Sequence, residues 1–340
     1  MRVAKYYSRD DTRLEQMPVP EIGPGEMLVQ VKVCGLCGSD LMEWYADSKA
    51  PTVLGHEPVG FVSRLGRGVQ GFIPGDRVFV HHHVPCLVCH YCRRGNYSSC
   101  QTFKESRIYP GGFAEYIRVP AINVARDVLH LPEGLGFDEA TLIEPFACAI
   151  RGMQRAGLQR GDTVLIIGAG VSGLLFAQLS RLWGAGLIMT SDLVGYRLQT
   201  AKKLGADCTV NPVEEDLETK LREVNEGRGA DLVIVTPGSV GVMEQGLRLV
   251  GKGGTVLLYA PLPPGATLPV EVHDLLFSEI TLVSTYSCGP DETLTALEFI
   301  RRGRVQTEGL ITHRFGLDEV GEAMRLAVQA GESLKIVVVP

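Results

Sequence analysis

A run of β-prone, mostly apolar residues, Thr163-Val164-Leu165-Ile166-Ile167, leads directly into Gly168-Ala169-Gly170-Val171-Ser172-Gly173. The glycine spacing alone is weak evidence. Placed between a short apolar strand and a helical pattern, it specifies a tight strand-to-helix turn. Gly168 permits the turn, Gly170 lets a ligand approach the backbone, and Gly173 lets helix and strand pack closely. The first residues of the helix, Val171 and Ser172, then offer unpaired N–H groups to a pyrophosphate. A carboxylate is expected after the next strand to accept hydrogen bonds from a ribose, and Leu187-Ile188-Met189-Thr190-Ser191 ends in Asp192. Asp192 would favour NAD and repel the 2′-phosphate of NADP; the plainer alternative is a cap on the following helix. Arg197 either flanks the adenine or is a solvated helix residue.

Alternation of strand and helix continues beyond this turn. Apolar runs at Asp231–Thr236, Thr255–Tyr259 and Ile280–Ser284 read as buried strands, with helical patterns between most of them. Such a sequence predicts a parallel sheet, doubly wound, with helices on both faces. Helices are also expected over Glu292–Arg302 and Glu319–Gln329, with strands near Ile311 and over Lys335–Val339. The first 150 residues differ. Short alternating runs at Met27–Val33, Val59–Arg64 and Asp76–Val80 are broken by Gly23-Pro24-Gly25, Pro74-Gly75 and Gly111-Gly112. That punctuation suggests a barrel-like or sandwich-like β domain.

Nine cysteines occur, and the start of the chain lacks a signal-peptide core. An odd count in that context favours metal binding over a disulfide framework. Cys86, Cys89, Cys92 and Cys100 form C-x2-C-x2-C-x7-C. Four thiolates close a tetrahedral shell around zinc and leave no place for water, so this site should be structural. A nucleic-acid-binding knuckle would need a basic surface, whereas the chain carries a formal net charge of −6. Cys34, Cys148, Cys208 and Cys288 lie among apolar neighbours and read as core residues.

A second, open zinc site must be assembled from distant positions. Cys37 and His56 supply sulfur and nitrogen. Glu144, inside the apolar Leu142-Ile143-Glu144-Pro145, and Glu57, next to His56, are the carboxylate candidates, and the two can exchange with water. The run His81-His82-His83 belongs to neither site if it continues a strand, because adjacent side chains then face opposite ways. No apolar run reaches membrane-spanning length. A cytoplasmic protein with a small-molecule alcohol or ketone partner, without nucleic acid or membrane, is expected.

With Gly55-His56-Glu57, the four-cysteine lobe, Gly111-Gly112-Phe113-Ala114-Glu115-Tyr116 and Ile143-Glu144-Pro145 in view, the whole chain resembles the zinc-containing medium-chain dehydrogenase/reductase superfamily. Its sorbitol (polyol) dehydrogenase and L-threonine 3-dehydrogenase branch is nearest. The resemblance implies α/β architecture: a GroES-like β domain over residues 1–150 with a structural zinc lobe at about 81–105, a Rossmann domain over 151–288, and a segment, 289–340, returning to the first domain. It implies two zinc ions per chain, NAD, a site in the cleft between the domains, and a homodimer or homotetramer. By position, Cys37, His56 and Glu144 match catalytic-zinc ligands, and Glu57 the carboxylate that replaces water. Ser39 matches the hydroxyl that takes the alcohol proton, and Asp40 an acid near the zinc. Met42 stands where many relatives carry a proton-relaying His, which leaves the proton to leave through the cofactor ribose and water or through Glu43.

These readings lead to reversible oxidation of a secondary alcohol of a polyol, sugar or cyclitol, with a β-hydroxy amino acid such as threonine as the alternative. A regulatory protein binding zinc and nucleotide without catalysis would need no joint presence of Cys37, Ser39, His56 and Glu144. Trp44, Tyr45 and Phe113 are the suspected pocket residues.

Overall fold

The computed structural model describes all residues, Met1–Pro340. Its strands are β1 (Arg2–Ser8), β2 (Asp11–Gln16), β3 (Met27–Leu36), β4 (Thr52–Val53), β5 (Glu57–Leu65), β6 (Arg77–Val80), β7 (Tyr116–Val119) and β8 (Val128–His130). There follow β9 (Thr163–Ile167), β10 (Leu187–Ser191), β11 (Cys208–Val210), β12 (Ala230–Val235), β13 (Val250–Leu258), β14 (Thr281–Ser284), β15 (Ile311–Gly316) and β16 (Lys335–Val339). Two compact units share them. One comprises residues 1–147, 287–303 and 307–340, and the other 148–286 with 304–306.

The first unit is built on β3. Its ten residues alternate apolar and polar side chains only in the middle, over Val29–Val33, and all but Gln30 and Lys32 are buried, because strands flank it on both sides. β5 pairs antiparallel along its length, β7 joins the Met27–Gln30 half, and β16 joins the Cys34–Leu36 half. The larger sheet runs β15-β16-β3-β5-β6-β8, and a smaller one runs β2-β1-β4. The sheets enclose a core of Val29, Val31, Val62, Val78, Ile117, Val119 and Val338 among others. β-branched residues dominate it, as a pleated, two-sided interior favours.

The second unit is a six-stranded sheet in the order β11-β10-β9-β12-β13-β14, parallel at each pairing. The order reverses beside β9, which is buried throughout, and this is the doubly wound arrangement. The glycine turn leaves β9 at that reversal. β14 corrects one expectation. Read from sequence as a buried strand, it is an edge strand with three of its four residues exposed. An apolar run identifies a strand but not its place in the sheet.

Candidate active site and metal centres

Strand register brings the first metal-ligand group together. In the β3·β5 ladder Gly35 lies opposite Glu57. Cys37 lies just past the end of β3 and His56 just before the start of β5, so the antiparallel pairing sets them side by side. The ligand atoms of Cys37, His56 and Glu57 all lie within 4.8 Å of one another. Asp40 sits in the short 3-10 turn after Cys37, only 3% exposed. Its Oδ2 accepts the Cys37 backbone N–H at 3.1 Å, and its Oδ1 is 3.4 Å from His56 Nδ1. Burial alone would raise the Asp40 carboxyl, but His56 and the Cys37 N–H more than offset it and hold it below the usual range. A carboxylate on Nδ1 leaves Nε2 as the metal-binding nitrogen, a common support for metal-ligating histidine.

Glu57 has a partner that the sequence did not reveal. Lys335, at the start of β16, makes a buried ion pair with it, and Lys335 Nζ also donates to the Leu36 carbonyl at 3.0 Å. β5 and β16 flank β3 on opposite sides, and the two side chains meet over Gly35. A Cβ there would overlap the Glu57 carboxylate and come within 2.7 Å of Lys335 Cε, so only glycine leaves room. Burial pushes the Glu57 carboxyl up, Lys335 draws it down and Glu144 pushes it up again, for a net rise.

The other candidates take varied places. Ser39 is half-buried in the Gly38–Leu41 turn, two residues beyond Cys37. Glu144, 5% exposed, opens the Ile143–Ala156 helix and groups with His81 and His82, their ligand atoms within 4.8 Å. β6 ends at Val80, so the three histidines lie beyond the strand and its alternation does not apply to them. His82 and His56 have ring centroids 4.9 Å apart. Glu43 is exposed and paired with Arg9 at 2.5 Å. Phe113 is fully buried core packed near Gly55, not a pocket residue, while Trp44 and Tyr45 stack edge-on near the surface.

The four-cysteine lobe is compact. Cys86, Cys89, Cys92 and Cys100 place their sulfurs within 4.8 Å of one another, and all four are free thiols. Leu87 adopts φ 66°, a left-handed conformation that curls Cys86 and Cys89 toward one point. The Cys89 backbone N–H donates to Cys86 Sγ at 3.3 Å and the Cys86 N–H to Cys100 Sγ at 3.4 Å. Burial opposes ionisation of Cys100, yet backbone N–H groups of Cys86 and Phe103 lower its thiol to about 6. Backbone N–H groups lower Cys86 as well, whereas burial lifts Cys92 to about 12. Thiolate-favouring N–H groups around a four-sulfur cluster fit a closed zinc site.

In the second unit the turn has the geometry its glycines require. Gly168 has φ 96°, and a Cβ on Gly173 would overlap the Gly168 carbonyl. Gly170 differs: the nearest atom to a Cβ there is Arg197 Nη1 at 3.9 Å, so space is open at the ligand side of the turn. Gly170 caps the Val171–Trp183 helix without a side-chain bond, which leaves the first-turn N–H groups, including those of Val171 and Ser172, for an anion. Asp192 Oδ2 accepts from Ala169 N at 2.7 Å and Oδ1 from Val194 N at 2.9 Å. Its carboxylate is therefore fixed beside the turn and also supports the start of the Gly195–Lys203 helix.

Comparison with known proteins decides the family. Residues 23–133 match the Alcohol dehydrogenase GroES-like domain and residues 172–302 the Zinc-binding dehydrogenase family. Sorbitol dehydrogenase of Bacillus subtilis is 32% identical, with 100% of this chain and 97% of that protein covered. The chain belongs to the zinc-containing medium-chain dehydrogenase/reductases. L-threonine 3-dehydrogenase of Pyrococcus abyssi is 36% identical over 95% of this chain and 94% of its own length. An Escherichia coli structure described as a short-chain alcohol dehydrogenase complexed with NADH superposes with a TM-score of 0.89 at 26% identity, covering 100% and 99% of the two chains. This dehydrogenase thus joins a GroES-like β part to a doubly wound sheet, and its donor sets suit zinc and its glycine turn a nicotinamide dinucleotide.

Proposed function

We propose that this dehydrogenase interconverts a secondary alcohol and its ketone with NAD, acting on a polyol, sugar or cyclitol. The observation that carries this reading is the gathering of Cys37, His56 and Glu57 within 4.8 Å, with Asp40 on His56 Nδ1, in a zinc-binding dehydrogenase chain. Cys37 and His56 would hold a zinc ion with Glu57 or Glu144 as exchangeable carboxylate; zinc supplies Lewis-acid polarisation of the substrate oxygen and NAD the hydride acceptor. Asp40 keeps the His56 ring in one tautomer and orientation. Ser39 Oγ would accept the proton of the substrate hydroxyl while passing its own hydroxyl proton on toward solvent. Lys335 draws the Glu57 carboxyl down against its burial. The Gly168–Gly173 turn, with Val171 and Ser172, holds the pyrophosphate. Asp192 receives the ribose hydroxyls and Arg197 lies beside the dinucleotide. Residues 1–150 and 289–340 would supply the zinc chemistry and 151–288 the cofactor site.

The sorbitol dehydrogenase relative supports a polyhydroxylated substrate. The threonine dehydrogenase relative, at 36% identity, supports a β-hydroxy amino acid as the second reading. Turnover of purified protein with polyols, sugars, cyclitols and amino alcohols, followed by NADH absorbance, separates them. Activity confined to threonine would replace the polyol reading, and inactivity across the panel with zinc and NAD bound would favour a binding protein.

Assembly into a homodimer or homotetramer is part of the proposal. The open edge at β14 has an exposed Leu282, and the preceding Val272–Phe277 helix exposes Val272, Leu276 and Phe277; a second copy pairing at β14 would cover its unpaired backbone and Leu282. Light scattering that reports a monomer at micromolar concentration would remove it. The free state of all nine cysteines suits a reducing cytoplasm, where we place the enzyme. No helix is long and apolar enough to cross a membrane.

A further inference from the structure

Three consecutive histidines follow β6, and two of them are fully engaged by the fold. The His81 backbone N–H donates to the Asp127 carbonyl at 3.1 Å, its Nδ1 lies 2.6 Å from Asp127 Oδ2, and its Nε2 lies 3.5 Å from Cys288 Sγ. Thr293 steadies that carboxylate by donating its hydroxyl to Asp127 Oδ1 at 2.7 Å. His83 Nδ1 lies 2.7 Å from the Ser106 carbonyl oxygen, and its ring packs on Phe103 with centroids 5.1 Å apart. Both residues are buried, at 0% and 8% exposure. The histidine between them differs. The His82 carbonyl accepts from Asn123 Nδ2 at 3.2 Å, as that of His81 does at 3.0 Å, so the backbone is held. The ring of His82 is half-buried, and its Nδ1 is buried with no hydrogen-bond partner. A buried ring nitrogen left unpaired is a cost that a ligand removes.

The His82 ring lies beside the proposed zinc ligands. Its centroid is 4.9 Å from that of His56, and one of its nitrogens is within 4.8 Å of a Glu144 carboxylate oxygen. It is not needed among those ligands. Cys37, His56 and a carboxylate already supply the three protein donors that a catalytic zinc takes, and the open position belongs to the substrate oxygen.

We infer that His82 is a specificity-determining residue, whose ring hydrogen-bonds a second hydroxyl on the carbon next to the one oxidised. The inference rests on secondary-alcohol oxidation at the Cys37–His56 group. A substrate oxygen bound beside His56 brings the neighbouring carbon toward the His82 ring. Neutral imidazole, the ordinary form at mildly alkaline pH, carries one donor and one acceptor. A hydroxyl also offers both, so the pair forms with either tautomer. A substrate without that hydroxyl leaves Nδ1 unpaired, and a site of this kind discriminates more strongly than an apolar pocket does. The substrate class thereby narrows to vicinal diols, which polyols, sugars and cyclitols contain.

Two small alcohols test it: propylene glycol, a vicinal diol, and isopropanol, which lacks the second hydroxyl. In His82→Phe the ratio of kcat/KM for propylene glycol to that for isopropanol should fall by about tenfold or more, with the isopropanol value little changed. His82→Asn, whose amide keeps a donor and an acceptor, should recover part of the ratio. Binding of propylene glycol to the enzyme–NADH complex, read from NADH fluorescence, should weaken in parallel, while zinc content stays at the wild-type level. If His82→Phe does not fold, His82→Ala carries the same expectations. An unmoved ratio, or an equal fall for both alcohols, in a folded variant would overturn the role of His82 and leave alcohol oxidation standing. Loss of about one zinc ion from a folded variant would overturn it by making His82 a metal ligand. A wild type loaded with zinc and NAD yet inactive on every alcohol would overturn the proposed function itself, and this inference with it.

Discussion

Replacing Lys335 with methionine removes the cation beside a fully buried carboxylate while keeping most of the side-chain volume. Glu57 is 0% exposed, Lys335 is 3% exposed, and neither Glu57 oxygen has a hydrogen bond to fall back on. Stranding one member of such a pair typically costs about 3–5 kcal/mol. The upper part of that range applies after chelation, because a cation at Cys37 and His56 shares the neutralisation. The Glu57 carboxyl, already raised by burial and Glu144 against the pull of Lys335, rises further in the variant. An acid whose folded pKa exceeds its unfolded one loses stability as pH climbs from the ordinary carboxylate range to the folded pKa. The defect should therefore grow as pH rises above the ordinary carboxylate range. Urea denaturation monitors it. Trp44 reports on the first unit once Trp183, in the second, is replaced by phenylalanine. Glu57→Gln should recover most of the loss in the double variant. A cost below about 1 kcal/mol at high pH, or a cost unchanged by Glu57→Gln, would refute the reasoning.

Cys37→Ser should abolish turnover and lower zinc content by about one ion, since a hydroxyl is a far poorer zinc ligand than a thiolate; full activity would end the metal-assisted mechanism. Cys89→Ala should release the lobe's zinc and lower the melting temperature, because metal binding is coupled to folding there, and an unchanged melting curve with unchanged zinc would count against the site. Wild-type enzyme should prefer NAD to NADP, and Asp192→Ala should narrow that preference by about tenfold or more in kcat/KM. A wild-type preference for NADP would remove Asp192 from the ribose.

Local chemistry made much of this molecule readable in advance. Thr163–Ile167 coincides with β9 and Lys335–Val339 with β16, because short apolar β-branched runs bounded by turns leave few alternatives. The cysteine lobe was legible because its ligands are near neighbours in the chain. The Ile143–Ala156 helix was not, since its early Pro145 suggests a break; within the first turn proline costs no hydrogen bond. The pairing of Lys335 with Glu57 and of Cys288 with His81 lay out of reach for a different reason. Each depends on sheet register and packing between residues hundreds apart, and neither partner carries a local signal of the other. The histidine run lies past the end of β6 at Val80, so the strand alternation assumed for it does not apply.

The C-terminal strand β16 gives the order of synthesis a physical meaning. β3 is laid down early, yet one of its ladders and the charge partner of Glu57 arrive only with residues 335–339. Until then a nascent chain holds an open sheet edge and an unneutralised carboxylate, both of which favour wrong pairing. The doubly wound unit, contained almost wholly in residues 148–286, can fold while the first unit waits. Closing the first unit is then a very long-range contact, slow by nature. A chain that stops at Leu334 should emerge with a folded nucleotide-binding unit and an aggregation-prone remainder, a burden that falls on chaperones rather than on catalysis.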